Sequence, residues 1–191
     1  MKKLFKMIAV LITASLLTAC GLANNNLESA LQNTREATSY TISFTFTAGG
    51  REILASTIDF DGNVARRTTG SMVSFYENTN DRVYRYDQFG DVWQRIEVTT
   101  EANNAFIEND FLSNLAAHFF ERSNDVYTLL PEHYEELGEL FGGAPVSNLT
   151  LTRSGNYVNE VNFIVIIDGV TVNGRMVYSN FGNVSLTLPV L

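Results

Sequence analysis

The chain has 191 residues, 45% hydrophobic and 18% charged, with 13 Lys and Arg against 21 Asp and Glu for a formal net charge of −8. This is ordinary globular composition, and it excludes a disordered, collagen-like or many-span membrane chain. The acidity, with no run of Lys or Arg interleaved with aromatics, excludes nucleic-acid binding.

Lys2, Lys3 and Lys6 precede a low-polarity run from Met7 to Leu17, which ends in Leu17-Thr18-Ala19-Cys20-Gly21. A basic start, a short apolar stretch and small residues before a cut describe a secretory signal peptide over 1–19. About 11 apolar residues at 1.5 Å each cannot span a hydrocarbon core of roughly 30 Å. Leu17 to Cys20 resembles the lipobox of bacterial lipoproteins. That resemblance implies a diacylglyceryl group on Cys20, cleavage before it and acylation of the new amino terminus. Two or three acyl chains hold a protein on a membrane where one myristoyl chain does so only marginally. Cys20 is the only cysteine, so no intrachain disulfide or paired-Cys metal site can form. Removal of 1–19 takes three lysines and no acid, leaving ten arginines against 21 acidic residues. Such a domain is repelled by an anionic bilayer, so its attachment rests on the lipid.

Residues 20–26, with three consecutive Asn, form a polar tether, and 27–191 form one domain. Leu27, Ala30, Leu31 and Thr34 recur at helical spacing over 27–37, with Asn26 as the N-cap and Glu28 in the first turn. Tyr40, Ile42, Phe44 and Phe46 then alternate with Thr41, Ser43, Thr45 and Thr47, the period of a half-buried strand. The same period predicts strands ending at Phe60, over 64–69, 72–77, 82–87 and 92–98, parted by Gly-rich and Asn-rich turns. From Asn103 the spacing of Phe106, Phe111, Leu115 and Phe119 is helical. Short extended pieces at 119–121 and 126–129 lead to a second helix from Pro131 to about Phe141, stopped by Gly142-Gly143. Four strands follow, over 146–153, 157–167, 170–179 and 184–188. Asp168-Gly169 marks a type I′ hairpin, and apolar residues on both faces of 161–167 suggest a strand covered on both sides.

The order predicts an α+β fold: a strongly curved antiparallel sheet of about ten strands with helices on its concave side. With the lipobox, the helix after the tether, the Tyr-rich meander, the central helices and the closing Phe181-Gly182-Asn183 and Leu186-Thr187-Leu188-Pro189, the chain resembles the LolA/LolB and LppX-type lipoprotein superfamily. That resemblance implies an unclosed half-barrel whose hydrophobic interior is covered by helices. It also implies a role in carrying or sensing lipids or lipoproteins in the cell envelope.

Chemistry-bearing residues are sparse. His118, in Ala116-Ala117-His118-Phe119-Phe120, reads as a hydrogen-bonded core or lid residue. His133 and Glu136 stand three apart on a helix rich in Glu132, Glu135 and Glu139, which reads as a solvated face and not a metal site. Asp59, Asp61, Asp87 and Asp91 flank turns. No GxSxG, phosphate loop or EF-hand loop is present, so neither an enzyme, a metal nor a cofactor is expected. The aromatics are the better lead: Phe44, Phe46, Phe60, Tyr84, Tyr86, Trp93, Phe111 and Leu115 are the candidate lining of an apolar cavity, though most such side chains fill cores.

The leading expectation is a non-catalytic lipoprotein, anchored extracytoplasmically in a bacterial envelope through Cys20. It would bind a lipid or acyl group between sheet and helices. The alternative is an interaction or sensor module with a filled core and an exposed apolar patch for an envelope protein. A hydrolase with acidic catalysts, which needs two carboxylates or a carboxylate and His at one cleft, is the third.

Overall fold

A computed structural model describes residues 26–79, 82–98, 108–138, 144 and 146–191. The signal segment, Cys20, the tether up to residue 25, Asn103, Phe106 and 139–143 lie outside the described residues.

Among the described residues eleven antiparallel strands form one open sheet, in the order β6-β5-β4-β3-β2-β1-β11-β10-β9-β8-β7. They are β1 (Ser39–Ala48), β2 (Arg51–Asp61), β3 (Val64–Thr69), β4 (Met72–Thr79), β5 (Arg82–Phe89), β6 (Val92–Val98), β7 (Phe120–Ser123), β8 (Val126–Leu129), β9 (Val146–Ser154), β10 (Tyr157–Ile167) and β11 (Val170–Ser179). The predicted meander is present as β1 to β6, each strand hydrogen-bonded to the next. β1 and β11 join the two halves through eight residue pairs, which closes the order without closing a barrel. The α+β half-barrel of the sequence reading is thus the observed fold, with one strand more than the ten expected.

Helix α1 (26–36) lies on the concave side. Leu27, Ala30, Leu31 and Thr34 are its buried stripe, as the 3.6-residue period requires. Thr34 also repairs a fault in the sheet. Val158 pairs with Arg153 and Glu160 with Thr152, so Asn159 is an extra residue in β10, a bulge that interrupts the ladder. The freed Val158 N–H donates to Thr34 Oγ1 at 2.9 Å, while that hydroxyl donates to Ala30 O at 2.7 Å. Arg35 donates to the carbonyls of Leu112 and Leu115, and Glu28 accepts from the Ala117 N–H, so α1 is tied to the segment before β7.

Several expectations are corrected. The segment expected to be helical from Asn103 contains 3₁₀ turns at Glu108–Asn114 and Ala117–Phe119 within its described part. Pro131 opens a 3₁₀ turn, Pro131–His133, which runs into a short α2 (Tyr134–Gly138). The strand expected over 184–188 is absent: β1 already has β2 on one side and β11 on the other, so this segment finds no ladder. It is pinned instead by Gly182 N–H to Ser39 O, by a Ser39 hydroxyl bonded to both Val184 N–H and C=O, and by Leu186 N–H to Asp61. Among the described residues β10 is covered on its inner face, whereas on the other Ile164 is half-buried and Ile166 exposed. The Asp168-Gly169 hairpin is as expected, with φ of 51° and 78°.

Candidate functional site

Register sorts every strand residue onto one of two faces, because side chains alternate. Phe44 pairs with Met176, Met176 with Val161, Val161 with Leu151 and Leu151 with Tyr127. All five are buried in one hydrophobic cluster with α1, so this is the inner face. One row over, Phe46 pairs with Gly174 and Gly174 with Phe163. The Phe163 ring lies over Gly174, and its centroid is 6.0 Å from Phe46 and 5.9 Å from Phe111. Within this packed half, the hydroxyls of Tyr127 and Tyr178 are buried without a hydrogen-bond partner among the described residues. Burial, reinforced by Tyr40, pushes the Tyr178 phenol far above its ordinary range.

The inner face of β3 to β6 is different. Phe60 leads through Ala65 and Tyr76 to Arg85 and Ile96, and Ile58 leads through Arg67 and Ser74 to Asp87 and Gln94. The face turns from apolar to polar as it leaves the core. Ser74 donates to Asp87 at 2.7 Å, Arg85 Nε donates to the other Asp87 oxygen at 2.7 Å, and Ser56 and Thr69 hydroxyls are 2.8 Å apart. Beyond this polar band the rim is apolar again: Leu54, Met72, Phe89 and Val92 are 45%, 70%, 55% and 59% exposed. Phe89 pairs with Val92, and Leu54 pairs with the half-buried Phe46, whose ring neighbours the buried Phe163 as does that of the half-buried Phe111. Ile167 and Val170, paired at the tip of the β10–β11 hairpin, are exposed at the same end of the sheet.

Of the residues singled out as a cavity lining, Phe44, Phe60 and Leu115 are buried on the inner side, and Phe46 and Phe111 are half-buried against the same cluster. Tyr84, Tyr86 and Trp93 do not join them. Core residue Tyr76 pairs with Arg85, so the neighbouring even positions of β5 face outward, where Phe75 opposes Tyr86 and Gln88 opposes Trp93. There Phe75 and Trp93 meet edge to face at 5.6 Å, the Arg95 guanidinium lies 3.6 Å from the Tyr84 ring centroid, and Glu77 holds both the Tyr86 hydroxyl and Arg95. Desolvation, then the Glu77 bond, raises the Tyr86 phenol.

His118 is exposed beside Phe119, 6.0 Å from the His133 ring, and so is not a core residue. His133 lies 3.4 Å from Glu136. Among the described residues no three His, Cys, Asp or Glu converge on a metal-sized site, and no helix is long and apolar enough to cross a membrane. Sequence reading missed Phe163, Gly174 and the rim of Leu54, Met72, Phe89 and Val92. The signal for Phe163 was its place in an apolar run whose two faces looked alike; for the rim it was the apolar residues flanking Gly70 and Gly90.

No protein-family model matches the chain, and no curated protein matches it. Solved structures similar to it include two mycobacterial proteins, LppX and LprF. The lipoprotein LppX of Mycobacterium tuberculosis is 12% identical with a TM-score of 0.44, over 85% of this chain and 96% of LppX. LprF of Mycobacterium bovis is 13% identical with a TM-score of 0.43, over 89% of this chain and 97% of LprF. Identity and TM-scores at this level assign neither a family nor a function.

Proposed function

We propose that this protein is a lipid-anchored, extracytoplasmic envelope protein that binds a lipid or acyl group on the concave face of its half-barrel, acting by binding and not by catalysis. The observation that carries the reading is the set of exposed apolar side chains at one end of the concave face, Met72 and the Phe89–Val92 pair on β4 to β6 and Leu54 beside the half-buried Phe46. Folding alone gives no reason to leave four large apolar side chains exposed on one concave rim, whereas an acyl chain laid along it would remove them from water. The Ser74, Asp87 and Arg85 band beside the rim suits the polar end of an amphiphile. In this reading Phe44, Phe60 and Leu115 form the wall behind the ligand, and Cys20 carries the membrane anchor that the lipobox implies.

The test is native mass spectrometry of the protein purified without denaturant, with binding of a fluorescent fatty acid to the wild type and to Met72→Asp/Phe89→Asp. Co-purified lipid, and a loss of at least about tenfold in fatty-acid affinity in the variant, are expected, because burying one such side chain contributes roughly 1.5–3 kcal/mol. An empty protein that also refuses the fatty acid would overturn the binding reading. Metabolic labelling with palmitate that survives Cys20→Ala would overturn the anchor.

A second reading is favoured by the outer aromatic group. Trp93, Tyr84, Phe75 and Arg95 combine the residue types that dominate protein interfaces, on the outer side of β4 to β6 at one edge of the sheet. A Trp93→Ala variant that keeps its lipid but loses a stoichiometric envelope partner would establish it.

A further inference from the structure

The outer face holds a concavity of about 410 Å³ above β1, β11, β10 and β9, on the side of the sheet opposite the apolar rim. Two cross-strand rows build it: Thr45, Arg175 and Asn162 in one, and Thr47, Asn173 and Ile164 in the next. Their alternation with Phe44, Phe46 and Phe163 places them outward. Asn148 comes in from β9. Asn162 pairs with Thr150 and Ile164 with Ser147, so β9 uses one residue more than β10 here, and Asn148 takes a left-handed backbone at φ 51°. Such a bulge re-aims a side chain, and Asn tolerates that conformation better than most residues.

The lining has a definite chemistry. Glu160 accepts from Arg175 at 2.8 Å and from Asn162 Nδ2 at 2.9 Å, so the one cation of the site is neutralised from within. The same two donors hold the Glu160 carboxylate below its usual range. The side chains of Thr45, Thr47, Asn148 and Asn173 make no hydrogen bond among the described residues, leaving two amides and two hydroxyls that can each donate and accept. Between them lies the hydrocarbon of Ile164 and the threonine methyls. β1, β10 and β11 are interior strands, so a peptide cannot add to the sheet here.

We propose that this concavity is a carbohydrate-binding subsite for a neutral glycan. A sugar ring presents carbon-bound hydrogens on its face, which match the Ile164 and threonine floor, and hydroxyls around its edge, which match the Asn148, Asn173 and Asn162 amides. An anionic ligand would meet a guanidinium already paired with Glu160. A lipid chain would leave the amides unsatisfied. The site is independent of the concave face, and both could be filled in one molecule.

The test is titration of the full chain in detergent with chitotetraose, maltotetraose and laminaritetraose, followed by saturation-transfer NMR and calorimetry. The variants are Asn173→Ser and Asn148→Gly, the latter chosen because Gly accepts the left-handed backbone. Saturable binding of at least one oligosaccharide is expected, weakened about two- to tenfold by each variant, as loss of one neutral hydrogen bond predicts. Fatty-acid binding by both variants should be unchanged. No binding of any of the three up to about 10 mM, far weaker than specific recognition, would overturn the proposal. So would binding indifferent to both variants, or tighter binding of an anionic polygalacturonate fragment titrated alongside them. Unaltered melting temperatures would show that the variants fold.

Discussion

Gly174 offers a measurement of how tightly the inner face is packed. Its φ is not in the left-handed region, so alanine meets no backbone penalty, and replacing a strand glycine without strain stabilises by about 0.4–1 kcal/mol through the unfolded chain. Here the added Cβ would fall 2.3, 2.4 and 2.8 Å from Cζ, Cε2 and Cε1 of Phe163, where carbon atoms rest at about 3.5–4.0 Å. The ring must retreat by more than about 1 Å to restore that spacing, and Phe46 and Phe111 stand in its way. Overpacking of this kind costs about 1–3 kcal/mol, so Gly174→Ala should destabilise by about 1–2 kcal/mol net. Urea denaturation reads this as a midpoint lowered by roughly 0.5–1 M at an unchanged slope. Phe163→Leu removes the obstructing ring atoms. In that background Gly174→Ala should be neutral or stabilising, a coupling of about 1–3 kcal/mol. Equal cost in both backgrounds, or a more stable single variant, would refute the steric account.

Asp59 is nearly buried on the outer face, accepting from Thr41 at 2.7 Å and from Arg66 at 2.6 and 3.1 Å. Asp59→Asn turns an acceptor into a donor facing the Arg66 guanidinium and should cost about 1–3 kcal/mol in a thermal melt. The Tyr178 hydroxyl has no hydrogen-bond partner among the described residues, so Tyr178→Phe should change stability at pH 7 by less than about 0.5 kcal/mol or raise it, unlike a typical buried polar truncation. Its raised phenol keeps its proton in the folded state after the unfolded chain has lost it. Stability should therefore fall as pH rises above about 10, and Tyr178→Phe should flatten that alkaline limb in pH-dependent denaturation. Glu160 has the opposite sign: its carboxyl is held low by Arg175 and Asn162, so its contribution is complete above about pH 4.3 and is lost as pH falls further. Glu160→Gln should flatten the acid limb without altering the alkaline one.

Most strand positions were legible because period-two alternation and Gly turns are local signals. The meander from Tyr40 to Val98 and the Asp168-Gly169 hairpin needed nothing from elsewhere in the chain. The segment 183–191 was not legible, because its alternation is that of a strand while β1, beside which it is pinned at Ser39, is already paired on both sides. The bulges at Asn159 and Asn148 were equally hidden, since an extra residue shows only against a partner strand.

By itself the sequence determined which residues share a face: Tyr84 with Tyr86, Phe44 with Phe46, Leu27 with Leu31. It could not determine which face is inside. That was decided by register, through pairs such as Tyr76 with Arg85, which turned the aromatic side of β5 outward and set Ser74, Asp87 and Arg85 on the concave face. The reason is physical: alternation is a property of one strand, whereas inside and outside exist only after strands have paired and curled around α1. A reading from composition placed the aromatic side chains together in one cavity; the folded sheet divides them between an inner wall and an outer surface.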